Sequence, residues 1–200
     1  MLRLECRLYI MPINLELTTK RLALKPISQN DVGLVVEMFT DEQIMKYAGG
    51  RVSKEKIVEE MRFHIRLGGN GCIGKWCISD RITGESLGTI SLFPLPTDKD
   101  DTDWVQLIED QFPKEDIEIG YFLRRVVWGR GYATEAVQRV LRFVFEHSPL
   151  EKIVALRHPR NNNSRRVLEK TGFESTGVRR SYGEDLPGFQ IVRENWLSRQ

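Results

Sequence analysis

The sequence has no long apolar run. Nothing in its 200 residues approaches the roughly 18 apolar positions of a membrane-spanning helix, and the longest such run near the start, Leu8–Ile13, contains Pro12. That excludes a membrane-spanning helix and argues against a membrane partner. The opening residues, MLRLECRLYI, place Arg3, Glu5 and Arg7 among the apolar ones and make a poor signal peptide, and Met11 offers an alternative start. Cysteine is scarce and odd in number (Cys6, Cys72, Cys77), with no C-x-x-C, so a reducing cytoplasmic setting is expected rather than a disulfide framework. His64, His147 and His158 are scattered, none at metal-ligand spacing to another; no metal site is expected, and they read as surface or helix-end residues. Internal repeats and low-complexity linkers are absent too.

What is present is the composition of an ordinary globular protein, 40% hydrophobic and 29% charged. A chain of this length buries roughly 70% of its unfolded surface and needs no covalent staple. The net charge of +2 hides an asymmetry. Residues 98–116 carry eight acids and two bases, whereas residues 121–180 carry thirteen bases and five acids. Solvated loops and helix faces would explain such runs; so would two surfaces facing two differently charged partners.

Periodicity gives the elements. Thr18–Pro26 reads as a strand, Asn30–Thr40 as a helix capped by Asn30 or Asp31, and Ser53–Leu67 as a second helix capped by Ser53 and ended by Gly68-Gly69. Lys75–Asp80 and Ser86–Phe93 read as antiparallel strands around a Thr83-Gly84 turn. Pro94–Pro113 has no period, and a connection of that length is usually functional or disordered. Ile117–Leu123 reads as a strand and Ala133–His147 as the strongest amphipathic helix, stopped by Ser148-Pro149. Ile153–Arg157 is a strand, Ser164–Thr171 a short helix with Gly172 as its left-handed cap, and strands at Phe173–Val178 and about Gln190–Trp196 complete one α+β domain.

The segment RRVVWGRGYATEA (124–136) joins a strand to a helix through Gly129 and Gly131. A helix start presents unbonded N–H groups and about half a positive charge, and glycines let a ligand approach the backbone, so this turn is a phosphate cradle on physical grounds. It has no G-K-[ST], and the third glycine of a dinucleotide fingerprint falls on Thr134. A tight strand-to-helix turn would equally explain a lone G-x-G. The flanks supply Arg124, Arg125 and Arg130, and a second cluster, N-x-x-S-R-R-V-L-E-K-T-G-F (161–173), follows one strand later.

Three blocks in register (TTKRLALKP, EIGYFL…WGRGYATEA and the 161–173 cluster) resemble the GNAT acetyltransferases, specifically the ribosomal-protein N-terminal (RimJ/RimL-like) branch, over about Leu17–Trp196. The resemblance implies a GNAT fold, a mixed, mostly antiparallel sheet splayed between two adjacent parallel strands with helices on both faces. The domain would span residues 17–200, with an extension at 1–16 and an acidic loop insertion at about 96–116. It further implies an acyltransferase that uses acetyl-CoA as co-substrate. The pantetheine arm would bond like an extra strand to backbone near Phe122 and Leu123. The pyrophosphate would sit on the amides of Trp128, Gly129, Arg130, Gly131, Tyr132, Ala133 and Thr134. Asn161 would bond the pantetheine arm and Ser164 would lie near the thiol. Two departures from the family pattern are visible: Val126 replaces the Gln or Arg common three residues before the first glycine, and Leu168 replaces the tyrosine that many relatives use as general acid. Ser164 is the substitute candidate acid, with helix capping as its plainer role.

Glu118, on the strand beside the cofactor gap, is the candidate base, a surface ion pair being its plainer role. An α-amine of pKa about 7.7–8 yields its proton far more readily than a lysine of about 10.4, so a site with one carboxylate and no evident acid suits a protein or peptide N-terminus. The other readings are a small-molecule amine acceptor (an amino acid, polyamine or aminoglycoside-like amine) and a non-catalytic CoA-binding module. The acidic insert would draw a cationic acceptor through Asp100, Asp101 and Asp103. Cys77 reads as core filling, while Trp76, Trp104 and Trp128 read as core or acceptor-lining. The basic region lacks the aromatic interleaving of an RNA-binding sheet, so no nucleic acid partner is expected. Monomer and homodimer remain equally compatible.

Overall fold

The computed structural model describes residues 13–99 and 101–199. Cys6, Met11, Asp100 and most of the 1–16 extension lie outside the described residues. Eight strands form one sheet in the order β1-β2-β3-β4-β5-β6-β8-β7. They are β1 (Leu17–Thr18), β2 (Leu22–Pro26), β3 (Gly74–Asp80), β4 (Ser86–Pro94), β5 (Ile117–Leu123), β6 (Lys152–Leu156), β7 (Glu174–Ser181) and β8 (Glu184–Val192). All neighbours run antiparallel except β5 and β6, which are parallel and share a single register pair, Glu118 with Val154.

Alternation along the central strands sorts the two faces. Trp76 and Ile78 of β3, Ile90 and Leu92 of β4, and Ile119 and Leu123 of β5 pack against helix α4 (Tyr132–His147), whose Val137, Val140, Leu141 and Val144 are fully buried. The opposite face carries α1 (Val32–Phe39) and α3 (Lys54–His64), joined by a four-residue helix α2 (Glu42–Met45). Cys77 fills that side against Leu34 and Met38, with Phe122 packed beside them.

Several boundaries differ from the sequence reading. The first helix is led in by a 3₁₀ turn capped by Ser28, whose hydroxyl accepts from the Asn30 amide while Asp31 bonds back to Ser28. Asp31 is the N-cap residue of α1, as one of the two expected positions, but its side chain makes no cap bond to that helix. Helix α2, capped by Asp41, was not anticipated. Helix α3 stops at His64, because Gly68 and Gly69 serve a different purpose: a Cβ at Gly69 would fall 2.6 Å from the Phe112 ring and one at Gly68 2.7 Å from Leu107. The glycines are the seat of the acidic loop. Its backbone is tied there by Gly69 N–H to Ile108 and Gln111 carbonyls (3.1 Å each), and Arg66 clasps the carbonyls of Trp104 (3.0 Å) and Leu107 (2.7 Å). Among its described residues, the 94–113 connection is anchored through Thr102, Trp104, Leu107 and Phe112 and carries a 3₁₀ turn, Trp104–Gln106.

The expected last strand, Gln190–Trp196, is also corrected. Tyr182 and Gly183 both take positive φ (53° and 68°) and fold β7 onto β8 in a two-residue hairpin, so β8 begins at Glu184. Pro187 and Gly188 lie inside that strand and hid it. The chain then leaves the sheet as helix α6 (Arg193–Leu197): Arg193 bonds the carbonyls of Phe145, Ser148 and Leu150, and Trp196 buries against Phe145. Helix α5 (Asn162–Lys170) ends at Thr171, and Gly172 takes φ 92° as foreseen. Among the described residues, no helix is long and apolar enough to cross a membrane, and no cluster of three metal-ligating side chains occurs.

Candidate active site

Two arms of the sheet part beyond the Glu118–Val154 pair, and the turn at the end of β5 hangs over the gap. Gly129 and Gly131 take φ 76° and 79°, conformations that cost a residue with a Cβ about 1–2 kcal/mol. Gly131 is the N-cap of α4 and supplies no side-chain acceptor, so the first-turn amides are left to a ligand or water. The one acid in that turn, Glu135, is neutralised locally. Arg21 forms a 2.6 Å ion pair with it, Thr19 donates at 2.5 Å, and these bonds outweigh burial to hold its carboxyl below the usual range. Arg21 also stacks 4.4 Å over Tyr132 and donates to the Arg130 carbonyl at 2.9 Å, so the cation sits beside the turn. The other flanking arginines are engaged elsewhere. Arg124 pairs with Glu37 and Glu85, and Arg125 with Asp41. Trp128 is half exposed, its indole N–H donating to the Leu123 carbonyl at 2.8 Å.

At the mouth of the gap stands Glu118. Its Oε1 accepts from the Leu156 amide of β6 at 3.3 Å, so the carboxylate occupies the position where the strand ladder would have continued. Its Oε2 accepts from the Tyr182 hydroxyl at 2.5 Å. Desolvation raises the Glu118 carboxyl to about 7; the bonds from Tyr182 and Leu156 and the charge of Arg179 offset it only in part. Glu118 is thus no surface ion pair. Tyr182 is pushed upward, first by burial and then by the adjacent carboxylate.

On the other face of β5, Tyr121 reaches α5, its hydroxyl 3.1 Å from Ser164 Oγ, and burial raises it to about 12. Helix capping falls to Asn161, whose Oδ1 accepts from the Ser164 amide at 3.1 Å, so the Ser164 hydroxyl is not the cap. Leu168 is fully buried in the core. Alternation in EIGYFL already put Glu118 and Tyr121 on opposite faces, the one signal that might have flagged the tyrosine.

A third group was not anticipated. Lys75 of β3 is only 5% exposed, and its Nζ lies 2.9 Å from Nδ1 of His64, with the rings of Phe39 and Phe93 at 5.2 and 5.8 Å. Burial brings Lys75 down to about 7 despite Asp101 and Glu60, and burial with the Lys75 charge takes His64 to about 3. His64 is the last residue of α3, as expected of a helix-end histidine, but it is half-buried and bonded to Lys75. Trp104 of the acidic loop packs edge-on to His64 (5.3 Å) and Phe93 (5.0 Å) and stacks on Phe63 (5.8 Å). The loop's charge is partly spent internally: Asp98 pairs with Arg180, Asp103 with Lys99 (2.6 Å), and Asp116 with Lys152 and Arg179.

A parallel pair splayed open beside a glycine-built helix start is the arrangement that the family comparison then explains. The profile described as "Acetyltransferase (GNAT) domain" matches residues 21–174. The chain belongs to the GNAT acetyltransferases. Its relatives include YkkB of Bacillus subtilis, an uncharacterized protein 29% identical over 176 residues, covering 88% of this chain and 94% of that one. In fold it is similar to an acetyltransferase from Agrobacterium tumefaciens (TM-score 0.71, 24% identity, 88% of this chain and 93% of that one). It is similar also to spermidine N-acetyltransferase from Vibrio cholerae solved with CoA and spermine (TM-score 0.67, 18% identity, 90% and 99%). This GNAT chain is an N-acetyltransferase that takes acetyl-CoA as co-substrate. The residues present fit that molecule. The α4 amides lack side-chain caps, a Cβ at Gly129 would meet nothing within 4 Å, and the only acid of the turn is paired.

Proposed function

We propose that the chain acetylates a primary amine, most specifically the α-amine of a protein or peptide N-terminus, with Glu118 as the base. When bound, acetyl-CoA supplies an activated acetyl group on a thiol of pKa about 8.5, already a fair leaving group. Trp128 to Thr134 would hold its diphosphate through main-chain N–H groups, with Arg21 and Arg130 adding positive charge, while Phe122, Leu123 and Asn161 would bind the pantetheine arm. Ser164, paired with Tyr121, stands as the proton donor on the thiol side.

The observation that carries this reading is the Glu118 carboxyl, desolvated to about 7 at the mouth of the gap. Taking a proton from an α-amine of pKa near 8 is uphill by about one unit, or ~1.4 kcal/mol, whereas a lysine of about 10.4 would cost ~4.6 kcal/mol. The match supports an α-amine, as does the likeness of the three sequence blocks to the ribosomal-protein branch. A second reading, a polyamine acceptor, draws on Asp101, the acid of the loop that acts on both Lys75 and Tyr182, and on the Vibrio cholerae spermidine enzyme. Thiol release from acetyl-CoA, followed with peptides bearing free or blocked N-termini, with lysine-only peptides and with spermidine, separates the readings. Equal turnover of blocked, lysine-bearing peptides would overturn the first. Binding of acetyl-CoA without thiol release across the whole panel would make the chain a CoA-binding module instead.

A further inference from the structure

We infer that Tyr182 is a positioning residue for this reaction. Its hydroxyl, delivered by the β7–β8 turn, fixes Oε2 of the Glu118 carboxylate, so that the free lone pair of Oε1, held only by the long bond from the Leu156 amide, takes the proton. The inference rests on the reading of Glu118 as base.

Three observations carry it. Tyr182 sits at φ 53°, a left-handed conformation that Asn or Gly adopts at less cost, so its phenol is not there to make the turn. The hydroxyl is directed inward, 2.5 Å from Oε2, although the residue belongs to a hairpin tip that would normally face water. The tip itself is clamped. Ser181 donates to the Pro96 carbonyl, Gly183 N–H to Thr97 (3.3 Å), and Arg180 reaches Asp98 (3.3 Å), so the start of the acidic loop holds the turn against the gap. The groups facing the pair come from three elements. The Leu156 amide lies on β6, Arg179 on β7 is itself held by Asp116 at 2.7 Å, and Asp101 on the loop acts on Tyr182.

Removing the phenolic donor leaves the carboxylate with one long bond at 3.3 Å and desolvation less opposed, so its affinity for a proton rises and its orientation loosens. The test compares Tyr182→Phe, Tyr182→Asn and Glu118→Gln in pH profiles of acetyl transfer, with thermal unfolding alongside. Asn favours the turn, so Tyr182→Asn should fold at least as well as the native chain. Tyr182→Phe, which keeps the ring and removes only the donor, should move the acid limb of kcat/KM about one unit to higher pH, while in Tyr182→Asn the carboxylate loses the donor and its orientation loosens. The plateau kcat of both variants should drop at least fivefold, with the KM for acetyl-CoA within twofold of native. An unmoved limb in Tyr182→Phe, or a plateau kcat within twofold of native in either folded variant, overturns the inference. Glu118→Gln separates the two failures: if it keeps the native acid limb, the base assignment itself is wrong. If it loses that limb while Tyr182→Phe keeps the native one, only the role of Tyr182 falls.

Discussion

The two sides of the gap are built from different materials. The proposed cofactor side is made by the main chain: two glycines at positive φ, a helix start without a side-chain cap, and one arginine that cancels the nearby acid. The side that we propose receives the acceptor is made by side chains drawn from distant elements. Glu118 comes from β5, Tyr182 from the last hairpin, Lys75 from β3, His64 from α3 and Trp104 from the loop. A main-chain site depends on local conformation and tolerates exchange of most side chains around it. A side-chain site depends on tertiary packing and on the charge state of each member, so it can be retuned by single substitutions and by pH. On the function proposed above, the glycine-built side would recognise what the family shares, and the other side would choose the acceptor.

The sharpest way to break that contrast is Glu118→Gln. It should lower kcat/KM by about 10²–10³-fold while calorimetric binding of acetyl-CoA changes less than twofold. In the native chain kcat/KM should climb through pH about 7 as Glu118 loses its proton. A large loss of acetyl-CoA affinity in the variant would merge the two sides into one.

Next in size is the buried amine. Lys75 titrates near 7 in the fold against 10.5 when unfolded. The unfolded chain therefore binds the extra proton between those values, and stability should rise with pH across that window, by about 2–3 kcal/mol from pH 7 to pH 9. Urea unfolding of Lys75→Met should lack this rise. His64, at about 3 in the fold and 6.5 unfolded, acts in the acid range: stability falls as pH drops from 6.5 toward 3.

Arg21→Ala tests the cofactor side. Freeing the Glu135 charge beside the α4 start should weaken acetyl-CoA binding about tenfold, more at low salt than at high, with kcat at saturation little changed. Smallest is Asp101→Asn, expected to raise the acceptor KM two- to threefold and leave that of acetyl-CoA alone. Asp103→Asn, whose carboxylate is already paired with Lys99, should do neither.

The same division explains what could be read beforehand. Gly129, Gly131 and the helix stripe from Val137 to Phe145 are local signals, and the strand, turn and helix they announce are where periodicity put them. Glu118 was legible because it lies in the strand next to that turn. Tyr182 was hidden because its partner is 64 residues away and because Pro187 and Gly188 disguised the strand that aims it. Lys75 and His64 were hidden because a charged residue alternating with apolar ones reads as the wet face of a strand, and nothing local says that α3 and the loop will cover it. The ion pairs of Arg124 with Glu37 and of Arg125 with Asp41 were hidden for the same reason, since those acids lie more than eighty residues away in sequence.

One pair of residues, Glu118 and Val154, stitches a five-stranded slab to a three-stranded one. Beyond it the ladder between the two stops, and side chains such as Glu118 and Tyr182 bridge where main-chain pairing does not. The nucleotide thioester would then be a structural brace as well as a reagent. Amide deuteration along Phe122–Leu123 and Leu156 would slow on its arrival, the slabs would melt as one unit, and release of the spent carrier would reopen the joint once per turnover.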